Sequence, residues 1–376
     1  MMPPQLLIIA DDLTGANDTG VQFAKQGMEV LVSLWPDQEL QSFASDCQVL
    51  VVNTESRHLK AEDAFQRVYN VAAKGVELGL PQFYKKTDST LRGNLGSELT
   101  ALFAATGEHQ LFFAPAYPKL HRTTRGGVQF VNGLPLHQTP FVADPLNPVH
   151  EASIAAIIAQ QTNTAVVAFG AIASETSAQA IVIVDAETDE DLRRAAHLLK
   201  DKKLLAGSAG LAEFLPAMMP LPSKTVTTPA LSLPMLVVNG SLHETSQQQI
   251  AHAAHHGWAV VEITSEISAV QVVELLKLKQ QVVITTSAKL SDELITNRMA
   301  AMVAQILSQI TIPVIAVFGG DTLAAIAQAC DWKAFRPCAE FLPGVPLARV
   351  CGRDDLLLLT KAGGFGCVEL ISLLHG

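Results

Sequence analysis

Short runs of apolar, largely β-branched residues recur along the chain, and most are followed by a polar turn and then by apolar positions at helical spacing. LLII at Leu6 to Ile9, EVLVSLW from Glu29, QVLVVN from Gln48 to Asn53, QFY from Gln82 and QLFFA from Gln110 read as strands of a parallel sheet. Strands covered on both faces are continuously apolar, whereas a half-solvated strand alternates. Between the third and fourth runs, Phe65, Val68, Tyr69, Ala72 and Val76 recur at helical intervals. They predict a helix from about Lys60 to Leu78 that Gly79 and Pro81 stop. TAVVAF, AIVIVD and KLLAG continue the alternation of strand and helix, and the GSAG turn from Gly207 reads as a helix start.

Two stretches break the pattern. After QLFFAPAYP, the alternating VQFV, the pair Asn132 and Gly133, and LPLH predict a β-hairpin with a two-residue turn. We read it as an insertion in the first domain, an arm or lid with His121, Arg122 and Arg125 at its base, equally suited to a homodimer contact. From Pro216 to Pro234 the chain holds five prolines and no apolar periodicity, and reads as an interdomain linker. Strand–helix alternation then restarts with MLVVNGS, a helix from about His243 to His256, WAVVEIT, QVVITT and IPVIAVFGGDT, while FLPGVPLARV reads as a strand pair or flap. The expected fold class is α/β, with two Rossmann-like domains whose mostly parallel sheets are flanked by helices. The domains are placed at 1–215 and 235–376, joined by a linker at 216–234, with the active-site cleft between them.

Composition narrows the field. Hydrophobic residues make up 49% of the 376 residues, charged residues 16%, and mean hydropathy is +0.27, yet no unbroken apolar run approaches the roughly 18 residues of a membrane span. No membrane association is expected. The start, MMPPQLLIIADD, lacks a basic segment and a small-residue cleavage site, so the expected location is the cytoplasm. A net charge of -10 argues against a nucleic-acid partner, which needs clustered cations. Cys47, Cys330, Cys338, Cys351 and Cys367 form no C-x-x-C pair and read as reduced thiols. His252, His255 and His256 share helical spacing without a carboxylate nearby and read as a solvated helix face rather than a metal site.

The chemistry concentrates at strand ends. In ADDLTGANDTG the adjacent Asp11 and Asp12 close the first strand, and Thr14, Gly15, Asn17 and Asp18 read as turn and N-cap residues. Val21 and Gln22 stand where a phosphate-binding P-loop requires Lys and Ser/Thr, and no G-x-G-x-x-G dinucleotide fingerprint occurs in the chain. Arg57 follows the third strand, and a loop carrying Lys85, Lys86, Asp88, Ser89, Thr90, Leu91 and Arg92 follows the fourth. In a parallel sheet these ends lie on one edge and converge. Carboxylates and cations together suit a ligand that is both an anion and a polyol, with a guanidinium gripping its carboxylate. A surface ion-pair network is the plain alternative.

In the second half, NGS (Asn239 to Ser241), GGDT (Gly319 to Thr322) and KAGGFG (Lys361 to Gly366) are glycine turns at strand ends, where backbone amides and helix starts receive phosphate. Together they read as a nucleotide site. One domain for an acid polyol and one for a nucleotide imply phosphoryl transfer, with Asp12 or Asp88 taking the hydroxyl proton and Lys86 and Arg92 stabilising charge. A dehydrogenase would need the missing dinucleotide fingerprint. A two-lobed binding protein would need no phosphate-directed turns.

IADDLTGANDTG, KKTDSTLRGN, the APAYPKLHRTTRGG to DPLNPV block, NGS, GGDT, PGVP and KAGGFG occur in an order that resembles the four-carbon acid sugar kinases from end to end. NDTGVQ is similar to the D-threonate branch of that family rather than the 3-oxo-tetronate branch. The resemblance implies phosphorylation of the terminal hydroxyl of a four-carbon sugar acid with ATP and Mg²⁺, the acid on the first domain and ATP on the second. It implies substrate contacts at Asp11 or Asp12, Arg57, Asp88, Ser89, Thr90 and Leu91. ATP contacts are implied at Ser241, Gly319, Gly320, Asp321, Thr322 and Gly363. Leu242 and His243 after the Gly-Ser turn, and Ala362 where relatives carry Ser, depart from the family pattern.

Overall fold

In the first unit the apolar runs form β1 (Leu6–Ala10), β2 (Val30–Ser33), β3 (Val49–Asn53), β4 (Gln82–Lys86) and β5 (Gln110–Ala114). A short antiparallel group, β6 (Arg122–Arg125), β7 (Val128–Val131) and β8 (Leu134–Pro135), precedes β9 (Ala165–Ala168), β10 (Ala180–Ile183) and β11 (Leu204–Gly207). The computed structural model describes residues 4–37, 40–144, 146–169, 178–263, 267–286 and 293–374. The chain divides into two units, Met1–Thr225 and Val226–Gly376. The first unit's main sheet is parallel in the order β2-β3-β1-β4-β11-β5-β10-β9. Every residue of β1 and β3 is buried, as continuous apolarity requires. Burying each Val, Leu or Ile of such strands contributes about 1.5–3 kcal/mol.

Helices α1 (Leu13–Ala24), α2 (Leu40–Ala44), α3 (Ala61–Glu77), α4 (Leu95–Thr106), α5 (Ile154–Ala159), α6 (Asp189–Leu199) and α7 (Ala209–Ala212) complete the unit. Helix α3 buries Ala64, Val68, Val71, Ala72 and Gly75. A Cβ on Gly75 would stand 2.6 Å from Leu7 Cδ2 and 2.8 Å from Phe83 Cε1, so glycine lets this helix lie tight on β1 and β4. A capping box formed by Thr188 and Asp191 starts α6. The connection between β9 and β10 includes residues 170–177, which lie outside the described residues, so the helix expected there is not located.

Two local readings are corrected. Thr14, Gly15, Asn17 and Asp18 are not turn residues: α1 starts directly at Leu13, with Asp12 as its N-cap, and all twelve of its residues are buried. Burial of the whole helix overrides the turn preference of these side chains. The hairpin turn is as expected, with Asn132 at φ 51° and Gly133 at φ 79° in the left-handed pair that a type I′ turn needs, and Val131 facing Leu134. But LPLH is strand only to Pro135, after which Leu136–Gln138 tightens into a 3-10 turn, and β6 adds a third strand. The hairpin is also fastened rather than free. Asp185 accepts from the Gly126 and Gly127 amides at 2.5 and 3.0 Å, and Gln129 Nε2 donates to Ser89 O at 2.8 Å.

The second unit contains β12 (Met235–Asn239), β13 (Ala259–Glu262), β14 (Gln281–Thr285), β15 (Val314–Phe318), β16 (Ala334–Leu342), β17 (Val345–Val350) and β18 (Arg353–Lys361). Strands β13-β14-β12-β15-β18 are parallel neighbours, and β17 and β16 continue the sheet antiparallel. FLPGVPLARV is thus a strand pair, turning at Pro343 and Gly344 between Leu342 and Val345. Helices α8 (Glu244–His255), α9 (Ala269–Lys279), α10 (Glu293–Gln309), α11 (Gly320–Ala329) and α12 (Leu370–Leu373) flank it. Trp258, Phe318, Leu347, Leu359 and Leu370 are among the buried side chains of its core.

Candidate functional site

Parallel register places the first unit's charged loops level with one another. Ala10 faces Asn53 on one side and Lys86 on the other, so the chain leaves β1, β3 and β4 at the same height. Arg57 reaches from the loop after β3 to the loop after β1. Its Nε donates to Asp11 Oδ2 and its Nη2 to Asp12 Oδ1, each at 2.7 Å. Asp12 Oδ1 also accepts the Gly15 amide at 3.0 Å, capping α1. A Cβ on Gly15 would lie 2.5 Å from Asp12 Oδ1 and 2.9 Å from Lys86 Nζ, so the bare glycine lets the lysine approach. Lys86 Nζ donates to Thr87 O at 2.7 Å.

The loop after β4 carries a second ion pair. Asp88 Oδ2 accepts from Arg92 Nε at 2.7 Å and from the Thr90 hydroxyl, and Arg92 Nη1 donates to Asp144 Oδ2 at 3.1 Å. Leu91 sits at φ 59°, a conformation uncommon for a non-glycine residue, with its amide on Asp88 O at 3.0 Å. Ser89 and Thr90 are buried.

These contacts set the charges. Burial opposes ionisation of Asp11, but Arg57, Lys85 and Lys86 together hold its carboxyl below the usual range. Burial likewise works against the Asp88 charge, yet Arg92 and Arg57 hold that carboxyl well below it. Desolvation of Arg57 is outweighed by Asp11, Asp12 and Asp88, which raise its pKa. The same ion pairs occupy part of each guanidinium and leave the Nη1–Nη2 edge of Arg57 for a ligand carboxylate. One edge of Arg57 is already taken by Asp11 and Asp12, and Arg92 is shared between Asp88 and Asp144.

Sequence reading missed what supports this site from behind. Lys85 and Lys86, expected in the loop, close β4 instead; Lys85 and Glu98 are buried and paired at 3.0 Å, Lys85 also donates to Lys86 O at 2.9 Å, and the Ser56 hydroxyl donates to Glu98. Desolvation raises the Glu98 pKa even beside this lysine. The signal was present in QFYKK: adjacent residues of a strand point to opposite faces, so one of two consecutive lysines at a buried strand end must point inward. Asn94 Nδ2 adds bonds to Ser56 O and Leu59 O at 3.0 and 2.9 Å, tying the Arg57 loop to the start of α4.

In the second unit, register does the same for the glycine turns. Asn239 faces Phe318, and Phe318 faces Lys361, so the three turns leave adjacent strands level. They touch. A Cβ on Gly240 would overlap Thr322 Oγ1, and one on Gly363 would overlap Ser241 Oγ and stand 3.1 Å from His243 Cβ. Gly319, at φ 110°, is the N-cap of α11, and Gly320, Asp321 and Thr322 form its first turn, where backbone amides lack intrahelical partners. Asp321 is exposed and Thr322 buried. Lys361, expected only as the first residue of the third glycine turn, is a buried cation at the end of β18. A lysine closing the apolar run LLLLT was the available sign of it.

Charged side chains gathered at strand ends in one unit, and glycine turns gathered in the other, place this chain in the class of α/β proteins whose polar residues collect at the carboxyl ends of parallel strands, where such folds bind ligands. Residues 6–215 match the family model of a sugar-binding N-terminal domain, and residues 236–371 that of a nucleotide-binding C-terminal domain. The chain is 34% identical to a D-threonate kinase of Salmonella typhimurium, over 96% of this chain and 95% of that one. It is 30% identical to a D-erythronate kinase of Heliobacterium modesticaldum, over 96% and 94%. A crystal structure of a Salmonella typhimurium LT2 protein superposes with a TM-score of 0.81 over 98% of both chains at 20% identity, a likeness of fold alone. The chain belongs to the four-carbon acid sugar kinase family and is a phosphotransferase.

Among the described residues, no helix is long and apolar enough to cross a membrane, and no group of three or more His, Cys, Asp or Glu is placed to hold a metal ion.

Proposed function

We propose that the protein is an ATP-dependent kinase acting in the cytoplasm on the terminal hydroxyl of a four-carbon sugar acid, converting D-threonate to 4-phospho-D-threonate. The observation that carries this reading is the contact among the Ser241, Thr322 and Gly363 turns, a glycine-lined cradle that any Cβ at Gly240 or Gly363 would fill. With it stands the likeness to a D-threonate kinase along nearly the whole chain.

In this reading the first unit holds the acid. Lys86 and the Nη1 donors of Arg57 meet its carboxylate, and Asp11 fixes Arg57 by the 2.7 Å bond to Nε. The loop of Asp88, Ser89, Thr90 and Leu91 meets its hydroxyls. Between the two aspartates considered for proton transfer, the geometry favours Asp12. Both oxygens of Asp88 accept from Arg92, whereas the bonds of Asp12 among the described residues all fall on Oδ1. A carboxylate held strongly ionised by Arg92 is also a weak proton acceptor. The terminal hydroxyl oxygen of the acid forms a bond to the γ-phosphorus of ATP, its proton passes to Asp12, and the bond to the bridging oxygen breaks to release ADP. Arg92 faces the charge on the transferred group.

Ser241, Gly319, Gly320, Asp321, Thr322 and Gly363 would hold ATP on the second unit. A magnesium ion needs only one or two protein carboxylates when phosphates supply the rest, and Asp321 in the first turn of α11 fits that part. It would supply charge neutralisation on the triphosphate. For a homodimer, the proposed surface is the tip of the hairpin, where Leu134 is half exposed.

The test is ADP release from MgATP against D-threonate, L-threonate, D-erythronate, L-erythronate and 3-oxo-tetronate. D-threonate should give the highest kcat/KM, with phosphate on C4 of the product. A higher kcat/KM with D-erythronate would reassign the substrate to that of the Heliobacterium relative, and no ADP release with any of the five would reject the proposal.

A further inference from the structure

Lys361 ends β18 and is fully buried, yet the causes that shift its pKa include no charged neighbour. Its Nζ donates to Ser246 Oγ at 2.9 Å, to Gly363 O at 2.9 Å and to Ala362 O at 3.3 Å, and stands 4.4 Å from the centre of the Phe318 ring. An ammonium has three N–H donors. The three acceptors engage all of them, so no donor is left to reach a phosphate. Ser246 Oγ in turn donates to Gly363 O at 2.8 Å, so that carbonyl is held from two sides.

Peptide planarity carries the consequence outward. In a trans peptide the C=O and the following N–H point in opposite directions. If the carbonyls of Ala362 and Gly363 are drawn to Lys361, the amides of Gly363 and Gly364 are turned away from it. Neither amide donates to a backbone carbonyl in the turn, where the Phe365 amide alone closes back, on Ala362 O at 3.1 Å. A Cβ on Gly363 would meet Ser241 and His243, and one on Gly364 would meet His243, so the turn lies against the rest of the cradle.

We infer that Lys361 is a positioning residue for the nucleotide: it pins two consecutive peptide planes so that the Gly363 and Gly364 amides are presented to the phosphates of ATP. The inference rests on the proposal that this cradle binds ATP. Lys361 acts through the turn and does not touch the ligand. Burial lowers its pKa to about 7, against an ordinary value of 10.5. The groups facing it are Phe318 of β15, Ser246 of α8 and the two carbonyls; the nearest titratable side chain on the adjoining turn, His243, packs on Gly363 and Gly364. As pH rises through that value the ammonium loses one donor and gains a lone pair, and the planes loosen. Nucleotide affinity should therefore fall with rising pH.

The experiment compares the full-length protein with Lys361→Met and Ser246→Ala, by calorimetric titration with the Mg²⁺ complex of a non-hydrolysable ATP analogue from pH 6 to 9 and by steady-state kinetics. Lys361→Met should raise KM for ATP at least tenfold at pH 6 while KM for the acid stays within twofold. Its affinity should then vary less with pH than the wild type's; titration of the nucleotide itself is common to both proteins and cancels in the difference. Ser246→Ala should show the same split with a smaller factor, and it carries the test if Lys361→Met does not fold. Variants matching the wild type in affinity and pH profile, or losing ATP and acid binding alike, would overturn the role given to Lys361. A wild type that does not bind the nucleotide at all would instead refute the ATP site on which the inference stands.

Discussion

Gly240→Ala is the sharpest probe of the cradle. The backbone at Gly240 is not left-handed, so alanine meets no φ strain there and the whole cost is steric. The new Cβ would overlap Thr322 Oγ1. Turning the hydroxyl away does not clear it, because Thr322 Cβ would still lie at 3.0 Å and Cγ2 at 3.2 Å, inside the 3.4 Å at which ordinary contact begins. Thr322 is buried in the first turn of α11 and cannot swing into solvent. Either the helix start moves off the Asn239–Ser241 turn or the strain stays. Overpacking of this kind costs about 1–3 kcal/mol. If the turn yields, the cost falls on nucleotide binding, and KM for ATP rises roughly 5- to 150-fold with KM for the acid unchanged. If the turn holds, the same energy appears as lost stability, a melting temperature lower by about 2–4 °C per kcal/mol. Steady-state kinetics and a thermal melt on one preparation read both. A variant with wild-type melting and a wild-type KM for ATP would mean that Gly240 and Thr322 are not in contact, and the cradle as described would be wrong.

Two further tests address the first unit. Glu98→Ala or Lys85→Met alone should destabilise the protein by about 3–5 kcal/mol in urea unfolding, because each leaves a buried charge unpaired, while Lys85→Met with Glu98→Leu should cost far less; single variants within about 1 kcal/mol of wild type would remove the pair from the support of the site. Asp12→Asn should lower kcat by about 10²- to 10⁴-fold with little change in KM for ATP, whereas Asp88→Asn, which removes a carboxylate from the loop given to the acid's hydroxyls and loosens Arg92, should raise KM for the acid and lower kcat by less than Asp12→Asn does. The reverse split would transfer the proton-accepting role to Asp88.

Local pattern made the strands, their turns and the placement of charge at strand ends legible, because those features are written in consecutive residues. IIADD shows a buried strand closing on two carboxylates, and Asn132-Gly133 shows a type I′ turn. What escaped was set by partners far away in sequence. The lock of Arg57 on Asp11 and Asp12 joins loops 46 and 45 residues apart, and follows from β1 and β3 being neighbours, which no local pattern states. The extent of α1 escaped because Thr, Gly, Asn and Asp carry turn preferences in isolation, while enclosure on all sides makes helix the state that satisfies their backbone. The burial of Lys85 and Lys361 escaped because lysine is read as a surface residue unless the strand around it is known to be buried.

The level departure of β12, β15 and β18 bears on where this chain tolerates changes in length. Deleting one residue between Val314 and Phe318 would invert the facing of part of the strand and draw Gly319 back by about 3.3 Å, out of step with both neighbours. The opposite ends of these strands are under no such constraint. At Gly352, the turn that leads into β18, an added side chain would meet nothing within 4 Å. An epitope or reporter peptide belongs at that end, where added length leaves the register of the cradle untouched.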